Sequence, residues 1–202
     1  VQVLDEMKLI DFLFDILLAS SNLYLVQKAN GKIAHKHKKP VDFTFVKTAN
    51  SVGASEIAVK NVNAWVGKNS LILIGANLPH SEVRRITGYR FETNPSISIS
   101  ASGGVSASNS TLTGGSNTVA PNATLTVSDA TGVKTIVIAG FTLTYSASAS
   151  DTTVTVAGMV AGMINSHNEL NKIVKATWTP NTSTVAVSSR LGFLTLDTPL
   201  QS

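Results

Sequence analysis

The densest cluster of reactive side chains is Lys32, His35, Lys36, His37, Lys38 and Lys39, inside the stretch NGKIAHKHKKP at 30–40. Ammonium groups packed this closely make salt-sensitive contacts with phosphate oxygens, so one chemistry open to the segment is contact with DNA or with an acidic partner. His35 and His37, two apart, have the types to bind a metal or to titrate near neutral pH. A metal would need further ligands, and the other histidines, His80 and His167, are remote in sequence. No aromatic residue interleaves the cluster for base stacking. We read it first as a solvated basic loop closed by Pro40, with phosphate or partner contact as the functional alternative, and assign no metal.

The acidic residues beyond the first forty positions, Asp42, Glu56, Glu82, Glu92, Asp129, Asp151, Glu169 and Asp197, are scattered. None has the spacing of a metal or glycosidase motif, which leaves only pairing in space open. The sequence contains no G-x-S-x-G, H-E-x-x-H, P-loop or dinucleotide fingerprint. It has no cysteine, so it lacks a thiol nucleophile, a thiolate zinc site and a disulfide framework. The expectation is a protein that is not an enzyme, with no cofactor and no small-molecule substrate. Arg84 and Arg85 in EVRRITGYR would point to opposite faces of a strand, Arg84 on the face of Glu82, and are candidates for a subunit interface.

Composition supports assembly. Charged residues make up 14% of the 202, against about 25% in ordinary globular chains. Serine, threonine, asparagine and glycine take their place. Interface centres are depleted in Lys, Glu and Asp, so such a chain is expected to live packed against others. A Ser/Thr-rich secreted domain is the alternative. The net charge of +4 is too small and diffuse to argue for nucleic acid by itself.

The elements that must carry these residues fall into four parts. In 1–40, residues 3–29 read as a helix that ends in a short strand at NLYLVQ. Its core, LIDFLFDILL at 9–18, carries Asp11 and Asp15 at i, i+4 and a wide apolar arc that includes Ile10, Phe12, Leu13, Phe14 and Leu17. That arc must be buried by its own domain or by a neighbouring subunit. The run is interrupted by acid, whereas a span needs about 18 apolar residues, and no basic region precedes it. An acidic polar stripe would also be repelled by anionic lipid. No membrane partner is expected.

Residues 41–92 read as a small β-sheet or barrel module, in which DFTFV, SEIAV, SLILIG and EVRRITGYRFE alternate or run apolar between glycines. Residues 93–122 read as a Ser/Gly-rich linker, or an arm that offers Ile97 and Ile99 to a neighbour. A hairpin about Gly103-Gly104 is the alternative, disfavoured because it sets those isoleucines opposite serines. Residues 123–202 read as a ββαββ module. TIVIA and FTLTY flank a tight Ala139-Gly140 turn, and Val156, Met159, Val160, Met163 and Ile164 mark a helix capped by Thr153 or Thr155. Gly158 and Gly162 would let that helix approach the sheet. The fold class is therefore α+β, mostly β.

Within 127–187, the hairpin followed by FTLTYSASASDTT, a small-residue helix ending in GMIN and two further strands resembles a module of tailed-bacteriophage virion proteins. It is similar to the sheath and related tail proteins of Mu-like contractile phages. VGASEIAVKNVNAWVGKNSLILIG with SEVRRITGY looks like a small β unit of phage structural proteins. The chain is much shorter than a sheath protein, and 1–40 carry no likeness. The resemblance implies a structural component of the tail, baseplate or neck, located in the virion, assembled in the bacterial cytoplasm, and partnered by its own copies and other virion proteins. DNA contact at the basic loop is secondary. A capsid decoration, cement or fibre-anchoring protein is the nearest alternative, and a secreted carbohydrate-binding adhesin the next; an adhesin would need exposed aromatics such as Trp65 or Trp178.

Overall fold

The computed structural model describes residues 23–27, 33–37, 46–47, 51–63, 71–74 and 82–200. The chain divides into two units, Val1–Phe43 and Thr44–Ser202. In the first, β1 (Leu23–Gln27) and β2 (Ile33–His37) pair antiparallel, Leu25 opposite His35 and Leu23 opposite His37. The rest of the helix expected over 3–29 lies outside the described residues. The basic loop expected at 30–40 is corrected for Ile33–His37, which form a strand.

The second unit is mostly β, and its strands serve two cores. A four-stranded antiparallel sheet in the order β3-β13-β5-β4 is built from β3 (Glu56–Val59), β4 (Leu71–Ile74), β5 (Glu82–Phe91) and β13 (Gly192–Leu196). It covers Ile57, Val59, Val62, Ile86, Phe91, Leu194 and Leu196. Residues 41–92 are therefore not a self-contained module, because β13 from the far end of the sequence is an inner strand of their sheet. Gly192 is needed there: a Cβ would collide with the Arg90 carbonyl oxygen and press on the Val62 side chain.

The larger core lies between two further sheets. One has the order β10-β9-β6, from β6 (Ile99–Ser102), β9 (Gly132–Ile138) and β10 (Phe141–Ala147). The other runs β11-β12-β8-β7, from β7 (Val105–Ala107), β8 (Asn122–Val127), β11 (Val174–Trp178) and β12 (Thr184–Ser189). Helix α1 (Thr153–Ser166) buries Val156, Ala157, Val160, Ala161 and Ile164, and the single turn α2 (Leu170–Ile173) buries Leu170. Buried positions alternate along the strands of these two sheets, as a half-buried sheet requires.

Two expectations change here. The tract 93–122 is neither linker nor arm. Its β6 and β7 join different sheets, and Ile97, Ile99, Val105 and Leu112 are buried in the shared core. Serine opposite isoleucine is no obstacle, because β6 takes its main partner from β9, with Ile99 opposite Ile138. The strands flanking α1 also do not form one small sheet: β9 and β10 share a sheet with β6, β9 being its partner, whereas β11 and β12 share one with β8, β12 being its partner.

Local signals behave as their chemistry dictates. Ala139 and Gly140 have φ of 50° and 83°, the left-handed pair that a two-residue hairpin requires, and Ile138 pairs with Phe141. The helix cap is Thr152 rather than Thr153 or Thr155. Its hydroxyl accepts from the Thr155 N–H, and the Thr155 hydroxyl oxygen accepts from the Thr152 N–H. The buried arc of α1 is turned toward Ala157 and Ala161, leaving Met159 half-exposed.

Candidate assembly surfaces

The six carboxylates whose side chains are described are each held by a local partner. Glu56 receives Arg90 through Nε at 3.1 Å and Nη2 at 2.7 Å, and the same guanidinium lies 3.8 Å from the centroid of Phe193. Glu92 takes Lys47 on both oxygens at 2.7 and 2.6 Å. Glu169 takes Lys172 at 2.6 Å. Asp151 accepts from the Ser148 N–H at 2.7 Å and the Tyr145 hydroxyl at 2.8 Å, fixing the loop ahead of α1. Asp129 accepts from Thr131, and Asp197 from the backbone N–H groups of Arg85 and Thr198. These donors hold Glu56, Asp129, Asp151 and Glu169 below their ordinary carboxyl values. For Glu56 the chief cause is the Arg90 hydrogen bond, and for Asp151 the Ser148 N–H. A carboxylate held ionised and engaged is poorly suited to general-acid work.

Lys134 is the one charged side chain fully buried among the described residues. It takes the core-facing register of β9 with Ile136 and Ile138. Its amine donates to the Thr131 carbonyl and lies 3.8 Å from Asp129. The neighbouring corner explains the placement. Gly103 and Gly104, with φ of 73° and 77°, carry the chain from β6 to β7, and the Gly104 carbonyl accepts from Ser128 at 2.8 Å. Lys134 thus pins the 129–131 turn against which the corner packs. This is a structural use of the amine, and the in-phase position of the lysine in GVKTIVI is the sequence signal for it.

Strand edges carry the exposed chemistry. The outer edge of β3 is occupied, since Val46 bridges Val59 and the Lys47 N–H donates to the Ala58 carbonyl at 2.8 Å. The outer edge of β11 is closed by side-chain and helical groups. Asn165 bonds both backbone groups of Ala176, and the Val174 N–H donates to the Leu170 carbonyl. Strand β10 differs. Its two-residue turn directs the backbone groups of Phe141, Leu143, Tyr145 and Ala147 toward β9, so those of Thr142, Thr144 and Ser146 point away from it. All three residues are exposed, and among the described residues nothing hydrogen-bonds to them outside the sheet ladder. No charged residue, proline or bulge interrupts this seven-residue strand.

Exposed apolar side chains complete the surface. Leu71 and Val83, 62% and 57% exposed, share one face of β4 and β5 with exposed Arg85, which pairs with Leu71. Arg84 takes the other face, half-buried, its guanidinium directed at the Val83 and Pro199 carbonyls. The Phe141 ring lies 5.1 Å from that of His167, tilted by 56°, and His167 Nδ1 accepts from the backbone N–H groups of Glu169 and Leu170.

The remaining sequence candidates distribute as follows. Ile97 and Ile99 are 3% and 2% exposed within the chain's own core, so they are not available to a partner. Ile10, Phe12, Leu13, Phe14 and Leu17, like Lys32, Lys38, Lys39 and Trp65, lie outside the described residues. His35, Lys36 and His37 lie in β2, whose backbone alone is described. Trp178 is half-buried, its indole N–H donating to the Thr182 carbonyl at 2.8 Å. Asn165 and Lys134 were not singled out by the sequence. Among the described residues no three His, Asp or Glu side chains come together as a metal would need, and no helix is long and apolar enough to cross a membrane. Comparison with family models, curated proteins and solved structures gives no match.

Proposed function

We propose that this chain is a non-enzymatic structural component of a tailed-phage particle, in the tail, baseplate or neck, acting by subunit packing and sheet-edge pairing. The observation that carries the reading is β10: a long, uncharged strand edge left open in a fold that occupies the edges of β3 and β11. Soluble proteins normally blunt such edges, and those left open accept strands from other chains. The likeness of 127–187 to phage tail modules supplies the class of assembly. The six engaged carboxylates support the non-enzymatic part of the reading.

Its partners are copies of itself and other virion proteins, and its place is the virion. Mass spectrometry of purified particles, joined to cryo-microscopy, tests this. A fixed copy number matching the symmetry of one particle layer is expected. A free monomer with affinity for glycans, absent from particles, would overturn it in favour of an adhesin. Density on the capsid shell would move the chain to a decoration role.

A further inference from the structure

The open edge can be assigned an occupant. Resting on the assembly reading above, we propose that β10 pairs antiparallel with β10 of a second copy of this chain, about a two-fold axis through Thr144. The outward residues Thr142, Thr144 and Ser146 are evenly spaced about Thr144. Antiparallel self-pairing therefore sets Thr144 against Thr144 of the second copy, and Thr142 against its Ser146. Each outward residue then exchanges N–H and C=O with its counterpart, giving about six new main-chain hydrogen bonds across the axis.

The side chains favour this occupant. On the solvent face the pairing brings hydroxyl residues opposite hydroxyl residues, a favourable cross-strand combination. On the inner face Leu143 meets Tyr145 of the second copy, and Phe141 meets Ala147. The strand carries no charge, so self-pairing sets no like charges opposite one another, the usual obstacle to a two-fold strand contact. The two three-stranded sheets would become one six-stranded sheet, with both β10 edges removed from solvent. An isologous contact of this kind closes on itself and yields a dimer rather than a fibre.

The test is the solution mass of the full chain, with variants at the axis. The wild type should sediment at twice 21.2 kDa at concentrations up to about 0.1 mM. Thr144→Pro removes an N–H that the fold itself does not use, a place where an edge strand tolerates proline. It should keep the circular dichroism of the wild type and associate at least about ten-fold more weakly. If that variant fails to fold, Thr144→Lys sets two ammonium groups together at the axis, and its dimer should weaken at low salt and recover at high salt. A monomeric wild type, or a folded variant that dimerises unchanged, overturns the proposal. Normal incorporation of folded Thr144→Pro into particles would remove the β10 pairing and leave the virion reading intact. Absence of the wild-type chain from particles would remove the virion reading and leave the dimer as measured.

Discussion

Asn165 stands where a neighbouring strand would stand beside Ala176. Its Oδ1 accepts from the Ala176 N–H at 3.0 Å and its Nδ2 donates to the Ala176 carbonyl at 2.8 Å. One helix side chain thereby reproduces both bonds of a strand partner and closes the middle of β11. Asn165→Ala should cost about 1–2 kcal/mol, since two backbone groups exchange a fixed partner for water. It should also open a second edge. Urea unfolding reads the first effect, and concentration-dependent light scattering the second.

Gly103 fits beneath the Val133 carbonyl, and a Cβ there would overlap that oxygen. Gly103→Ala combines left-handed backbone strain with overpacking and should cost about 3 kcal/mol. Gly114, at φ of 74° with nothing near its missing Cβ, is the control. Gly114→Ala should cost only the backbone part, about 1–2 kcal/mol. Equal losses at the two sites would remove the corner from the account.

Gly158 and Gly162 have the spacing of a close helix contact, yet the surroundings do not demand glycine at either. A Cβ at Gly158 would meet the Trp178 ring at 3.5 Å, an ordinary contact, and one at Gly162 would meet nothing within 4 Å. Gly162→Ala should therefore stabilise α1 by about 1 kcal/mol, raising Tm by about 2–4 °C for a chain of this size. A lower Tm would mean that the face around Gly162 is already in use.

Glu56 is held below its ordinary value of 4.5 by Arg90. A carboxyl whose folded pKa is depressed contributes stability above its unfolded pKa and loses it as pH falls through the folded one. With both partners 34% exposed, screening limits the pair to about 0.5 kcal/mol. Glu56→Gln should lower the urea midpoint slightly at neutral pH, and the difference should vanish well below pH 4.5. A difference that persisted in acid would assign the loss to packing against Phe193.

Local patterns were legible in the sequence and long-range partners were not. The Ala139-Gly140 turn, the strands around it and the presence of α1 follow from residue periods and turn chemistry, which act within a few positions. The burial of Ile97 and Ile99 depends on β9, far along the chain, so SISISASGGVSAS read as a polar tract. The place of β13 between β3 and β5 was hidden for the same reason: GFLTL alternates as any half-buried strand does, and nothing local names its partner. Of the surface, the uncharged character of FTLTYSA was visible from the start. That the edge of β11 is closed depends on Asn165, whose reach to Ala176 no spacing rule announces.

The inner position of β13 also sets an order of events during synthesis. β3 and β5 leave the ribosome early, but neither has its principal neighbour until Gly192–Leu196 emerges. The larger core, drawn from residues between β5 and β13, can close first. A nascent chain stalled ahead of Gly192 would thus hold one finished half beside β3 and the β4-β5 pair still lacking the strand that joins them, a state for chaperones to shelter.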